Sequence, residues 1–365
     1  MNRVVAAIGL VIVSSMLIVD ERIDAHKPIT SKYTYTEDVY PIVRDRCGSC
    51  HAPGGIAPMS LLTYDDARPW AESMRAELTT GHMPPWYGDT GYAELKDPHQ
   101  LSPRELDVLL TWITGGTPRG PAAPGQPAAE VKNAWRRGRP DLTLTLPMEI
   151  TLPAGTNELT RDVVLQGAAD ADRFVSIADL RPGNPAIVHD ALIYTRPPGG
   201  RGERTVLAAW IPGAAPIAPS GGAAFHWRAG DELAIRIHYR KTWMNESKPA
   251  SDRSAVGLYL VKGTPKREIA AIVVPSADVA LPDAVQPLAF RTEDAPSDMS
   301  VKVEARLPDG RRVPLVGLTT RAGWDQRYWL AQPRLLQKGT RLHVAATTPP
   351  PRPWKLWLEY ASAGR

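Results

Sequence analysis

Apolar residues along this chain follow two different periods. Up to about residue 116 they recur at helical spacing; beyond about residue 141 they alternate. In residues 38–46, Val39, Ile42 and Val43 share one helical face, which predicts a helix that delivers Cys47 at its end. Thr63 is placed to cap a second helix from about Tyr64 to Thr79. Ser102-Pro-Arg-Glu105 has the form of a capping box with proline at the first helical position. Leu106, Leu109, Leu110 and Ile113 then repeat at i, i+3, i+4 and i+7, and Gly115-Gly116 stops that helix.

The later period is that of half-buried strands. Leu233, Ile235, Ile237 and Tyr239 point one way; Ala234, Arg236 and His238 point the other. Val301, Val303, Ala305 and Leu307 alternate with Lys302, Glu304 and Arg306, and Pro308-Asp-Gly310 turns the chain into residues 312–316 as a hairpin. Many short strands with Pro/Gly turns predict two β-sandwiches, dividing near Thr264-Pro265. Between the two patterns, Thr117-Pro-Arg-Gly-Pro-Ala-Ala-Pro-Gly-Gln-Pro127 reads as an extended linker reaching about Pro140. The expected fold is therefore multidomain: a small all-α domain over 26–116, a linker over 117–140, and an all-β region in two parts, 141–263 and 264–365.

Residues 1–25 read as a signal peptide. A basic Met1-Asn-Arg3 precedes sixteen mainly apolar residues, 4–19, and Ile23-Asp-Ala25 offers a cleavage site. Sixteen residues fall short of the ~20 needed to span a bilayer. The expectation is export to the periplasmic or extracellular side, with an uncleaved membrane anchor as the alternative. Net charge is +4, with no dense basic run and no basic–aromatic interleaving, so no nucleic-acid partner is expected. No phosphate-binding glycine loop, H-E-x-x-H or G-x-S-x-G occurs.

The chemistry concentrates in Cys47-Gly-Ser-Cys50-His51, a C-x-x-C-H attachment signature for c-type haem. Cys47 and Cys50 are the only 2 cysteines, so none is left for a disulfide framework or a thiolate zinc site. A redox dithiol beside a chance histidine is the competing reading. A cytochrome c also needs a second axial ligand. Thr80-Gly-His-Met-Pro-Pro-Trp86 supplies Met83, with two prolines that stiffen its loop. His82 and then Met59 are the rivals. A thioether ligand raises the potential and points to electron transfer. One covalent haem c, bound by Cys47, Cys50, His51 and Met83, and a redox partner protein follow.

In the β region, Ile187-Val-His-Asp-Ala-Leu-Ile-Tyr194 resembles the first copper motif of the ascorbate-dependent copper type II monooxygenases, the family that includes peptidylglycine α-hydroxylating monooxygenase. Ile235-Arg-Ile-His-Tyr239 resembles that family's second motif. The order of C-x-x-C-H segment, linker and β region is similar to bacterial fusions of cytochrome c with a monooxygenase-like double jelly roll. Met83-Pro-Pro-Trp86, Ala67-Arg-Pro-Trp70 and Asp252-Arg-Ser-Ala-Val-Gly257 fit the same group. The resemblance implies jelly-roll-like sandwiches and copper at His189 and His238.

Departures from the pattern bear on function. Where the family has a histidine pair, this chain has His189-Asp190. Asp190 or His226 is then the candidate third ligand, and Asp190 can join His189 only if the strand is distorted, because strand neighbours point to opposite faces. Ordinary hydrogen-bonded sandwich histidines are the other reading. The second copper calls for His-x-His and a distant methionine, but the equivalent stretch is Glu293-Asp-Ala295. No histidine lies between His238 and His343, and no methionine follows Met299. The expectation is an exported monohaem cytochrome with a β module kept for docking or positioning. The alternative is a copper monooxygenase fed electrons by its own haem.

Overall fold

The computed structural model describes residues 29–96, 100–121, 134–200, 202–274, 278–347 and 353–362. The segment expected to be a signal peptide and most of the expected linker lie outside them. Two prolines break what periodicity alone predicts as smooth helices. Tyr40–Ile42, with Pro41 inside it, sits between two wide-turned helical pieces, Tyr35–Val39 and Val43–Cys47. Pro69 likewise divides the second helix into Tyr64–Ala67, a tight turn Arg68–Trp70, and Ala71–Thr79. A proline has no N–H to donate, so the ladder is interrupted at each.

The helix ends match the sequence better than the middles do. Thr63 Oγ1 accepts the N–H of Asp66 at 3.1 Å. Ser102 and Glu105 form a full capping box at the start of Pro103–Thr114. The buried face of that helix is Val108, Leu109, Trp112 and Ile113; Leu106 and Leu110 lie at its margin. Trp112 turns the helix: its indole is fully buried and its Nε1–H donates to the Pro118 carbonyl at 3.0 Å. Tyr35, Val39, Val43, Leu61 and Met74 complete this apolar cluster.

The segment over 26–116 is not the self-contained all-α domain expected from sequence. Its helices are short, and residues 86–96 leave them for the β region. There Trp86 and Leu95 are buried in the core of the second half. Tyr87 O accepts from Thr319 N–H at 2.8 Å, Asp89 N–H donates to Gly317 O at 2.7 Å, and Lys96 N–H donates to Trp329 O at 2.8 Å. Those exposed strand edges need backbone partners, and this segment supplies them. No hydrophobic period marks such a graft.

The rest of the described chain is strand. The first half holds β1 (Leu142–Thr145), β2 (Ile150–Leu152), β3 (Glu158–Gln166), β4 (Arg173–Arg181), β5 (Val188–Arg196), β6 (Thr205–Trp210), β7 (Ala223–Trp227), β8 (Glu232–Arg240), β9 (Ala250–Asp252) and β10 (Ala255–Leu260). The second half holds β11 (Arg267–Val274), β12 (Val279–Ala280), β13 (Val285–Glu293), β14 (Ser300–Arg306), β15 (Arg312–Thr319), β16 (Arg327–Trp329), β17 (Arg341–Ala346) and β18 (Lys355–Ser362). Each half has its own four-stranded layer, β3-β8-β5-β6 and β12-β17-β14-β15. The opposing layer is common to both: eight strands in the order β1-β10-β4-β7-β11-β18-β13-β16. The sheet therefore does not break at 264–265, where the sequence divides the sandwiches. β11 pairs in parallel with β7, Ile269 opposite Phe225, and closes what would be an open edge.

Alternation in β8 is as the sequence predicts. Leu233, Ile235, Ile237 and Tyr239 are all 0% exposed and enter the first core. Arg236 and His238 face the other way. In the second half, β14 and β15 form the expected hairpin, with Gly310 at φ 86° in the turn.

Candidate functional site

Cys47 closes the helical run, and the N–H groups of Cys50 and His51 both donate to its carbonyl, at 3.0 and 2.8 Å. The motif is thus one tight turn. Both thiols are free. Burial raises both, Cys47 to about 12. A working redox dithiol needs a depressed thiol pKa, so this environment disfavours the dithiol reading. His51 Nδ1 donates to the Met59 carbonyl at 3.2 Å, which leaves Nε2 as the ligating nitrogen. Burial lowers the His51 pKa against the opposing pull of that carbonyl, which favours the neutral ring that a metal ligand needs. Two free thiols and an imidazole oriented by the Met59 carbonyl are the donor set that a covalently bound haem would need.

A loop of the β region covers the motif. Cys50 Sγ lies 4.0 Å from the Pro212 carbonyl, and a Cβ on Gly213 would strike Ser49. Arg136 bonds the Gly213 carbonyl and Arg137 Nε–H donates to Pro216 O at 3.1 Å, clamping the loop from the other side.

The three candidates for the sixth position differ in setting. Met59 packs against the apolar cluster that also receives Cys47. Met83 is 42% exposed. His82 is exposed, with Nδ1 3.4 Å from Glu77. Met83 comes after Thr80-Gly81-His82 at the end of the helix Ala71–Thr79, whose Ala71 and Met74 line that cluster.

A second cluster lies on the first half's four-stranded layer. Across β5 and β8, Val188 opposes Tyr239 and then Asp190 opposes His238, so His189 is the extra residue of a bulge. The strand is distorted at the position the sequence marked. His189 Nδ1–H donates to Asp190 Oδ2 at 2.7 Å, and His238 Nδ1–H donates to the same oxygen at 2.8 Å. The imidazole centroids are 5.1 Å apart. His226 is not part of this group; it sits between Asp172 and Glu268. Burial alone would raise Asp190, but the two imidazoles overcome it and hold the carboxyl below its usual value. The bond to Asp190 raises His238, against its desolvation.

Residues that the sequence reading missed wall this cluster. The Trp324 ring meets His189 edge-on at 5.4 Å, and Tyr87 meets Trp324 in turn at 6.2 Å. Both come from segments far away in sequence, so no local signal announces them. Next to Trp324, burial pushes the Asp325 carboxyl up to about 6.

At the position expected to carry His-x-His, Glu293 is an ion-pair centre. Its Oε2 is 3.0 Å from Arg204, 3.2 Å from Arg291 and 3.0 Å from Trp357 Nε1. Burial alone would raise this carboxyl, but Arg204 and Arg291 hold it at about 2. Ala295 is buried and offers no donor.

No protein family and no curated protein matches the chain. Among solved structures, the PBSX exported protein XepA is similar at 9% identity and TM-score 0.19, covering 61% of this chain and 87% of that one. A223, a turret protein of Sulfolobus turreted icosahedral virus, gives 10% identity and TM-score 0.17, covering 60% and 98%. Bacillus subtilis oxalate decarboxylase gives 9% identity and TM-score 0.16, covering 62% and 78%.

Proposed function

We propose that this chain is an exported monohaem c-type cytochrome that passes single electrons, with a monooxygenase-like, jelly-roll-like β module that docks or positions its redox partner. The observation that supports it is the C-x-x-C-H turn itself: two free thiols beside His51, whose Nδ1 is tied to the Met59 carbonyl. Cys47 and Cys50 would form the thioethers, His51 Nε2 the proximal bond, and Met83 the sixth. The haem supplies reversible one-electron chemistry at its iron. The protein's part is to hold His51 in one tautomer, to bury the attachment turn, and to cover it with residues 211–217. Among the described residues no helix is long and apolar enough to cross a membrane.

The test is a reduced pyridine spectrum of the purified chain, with iron counted against protein. One covalent haem c per chain, lost in Cys50→Ser, is the expected result; a b-type spectrum or no haem sinks the proposal. Met83→Ala removing the methionine–iron charge-transfer band, with Met59→Ala retaining it, settles the sixth ligand.

The second reading, a copper monooxygenase fed by its own haem, is favoured by the bulge that gathers His189, Asp190 and His238. Against it stand Glu293 and Ala295 where imidazoles are needed, and the lack of any methionine after Met299. Oxygen consumption with ascorbate, copper and a peptide, coupled to product and abolished by His238→Ala, would establish it.

A further inference from the structure

Asp190 is a departure from the copper motif, and it changes the chemistry of the cluster. Two imidazoles and one carboxylate are the donor set of the 2-His-1-carboxylate sites, which hold non-haem ferrous iron on one face and leave other positions open. Copper that cycles through the cuprous state prefers imidazole and thioether; a carboxylate is a hard donor and serves it badly. We propose that His189, Asp190 and His238 form a binding site for one divalent ion of the ferrous class, and that the site is not a remnant copper centre.

The geometry supports this independently of the haem reading. One donor atom from each residue lies within 4.8 Å of the other two. Donors bound to a single ion at ~2.0–2.2 Å cannot be more than ~4.4 Å apart, so small movements of three side chains suffice. All three stand on two adjacent hydrogen-bonded strands, so the backbone that carries them is fixed. The bulge at His189 lets sequence neighbours His189 and Asp190 turn to the same ion. Asp190 Oδ2 accepts from both imidazoles, so one carboxylate already draws the two rings together. The side chains are 19% and 22% exposed, so one side of the site is open to solvent and to further ligands. Trp324 closes the other side against the His189 ring.

The experiment uses the full chain, with haem content measured first and adventitious metal then removed by chelation. Ferrous iron is titrated anaerobically and nitric oxide is added. One ferrous ion per chain and the high-spin signal of a non-haem iron nitrosyl, distinct from that of haem nitrosyl, are expected. Asp190→Asn and His238→Ala should each weaken iron binding about tenfold or more. Asp190→His restores a three-imidazole set. It should lose ferrous binding and gain about tenfold or more in cuprous affinity, read by competition with a cuprous chelator. The wild-type nitrosyl signal needs no variant, so a misfolded mutant does not protect the proposal. It is overturned if the wild type binds no ferrous ion, if Asp190→Asn binds it equally well, or if cuprous ion binds the wild type more tightly than Asp190→His. None of these outcomes bears on the haem.

Discussion

Asp190 governs the pH behaviour of the cluster through two opposite shifts. His238 titrates above its usual value because its charged form is stabilised by Asp190. That contribution to stability is complete below the ordinary imidazole value and disappears as pH rises through the elevated one. Asp190 titrates below the usual carboxylate value, so its contribution is present above the ordinary value and disappears as pH falls through the lowered one. In metal-free protein the two overlap fully between about pH 4 and about pH 6.5. Asp190→Asn should therefore lower the His238 pKa in an NMR titration, and cost most thermal stability within that window. An unchanged His238 pKa would refute the coupling. At this scale the sequence showed His189, Asp190 and His238 and even the condition for their meeting, a distorted strand. It could not show that the condition is met, because a bulge depends on the partner strand's register. Trp324 and Arg204 were beyond reach because each makes its contact, with His189 and with Glu293 respectively, from a distant part of the sequence.

Element boundaries were legible wherever a local hydrogen bond defines them. Ser102 and Glu105 cap the helix Pro103–Thr114 as their spacing predicts, so Ser102→Ala should cost about 1 kcal/mol in chemical denaturation. Legibility fails where a distant contact overrides the pattern. Trp112 rotates the buried face of that helix away from Leu106 and Leu110, and residues 86–96 serve β-strand edges instead of the helical cluster. The loop over the haem motif gives a sharper test. Gly213 has φ 86°, and a Cβ there would also strike Ser49. Gly323 has φ 71° with open space around it. Gly323→Ala should cost only the left-handed backbone penalty, about 1–2 kcal/mol. Gly213→Ala should cost more than this, and should in addition make the C-x-x-C-H thiols more reactive to an alkylating probe before haem attachment. Equal effects from the two variants would mean that the loop does not bear on the motif.

The shared eight-stranded layer makes the two halves of the β region one cooperative unit, and Arg327 shows how the joint is made. It sits on β16 in the second half, buried; its Nη2 donates to Glu359 Oε1 at 2.8 Å and its Nε lies 2.7 Å from Glu359 Oε2. Its Nη1 and Nη2 donate to the carbonyls of Leu207 and Val206 on β6, in the first half, at 2.9 and 2.6 Å. One side chain thus neutralises a buried carboxylate and satisfies two backbone groups across the division. Arg327→Ala leaves Glu359 with only the longer pairing to Arg291, whose Nε is 3.8 Å away, and should cost about 3 kcal/mol. Removing the carboxylate as well, in Arg327→Met with Glu359→Leu, should recover only part of that loss. The β6 carbonyls stay unpaired in the double variant, at about 1–3 kcal/mol for a buried group left unmade. Calorimetry should show a single β-region transition in the wild type that moves as a whole in both variants. Two transitions in the wild type, or full recovery in the double variant, would mean that the halves are independent and that Arg327 serves the second half alone.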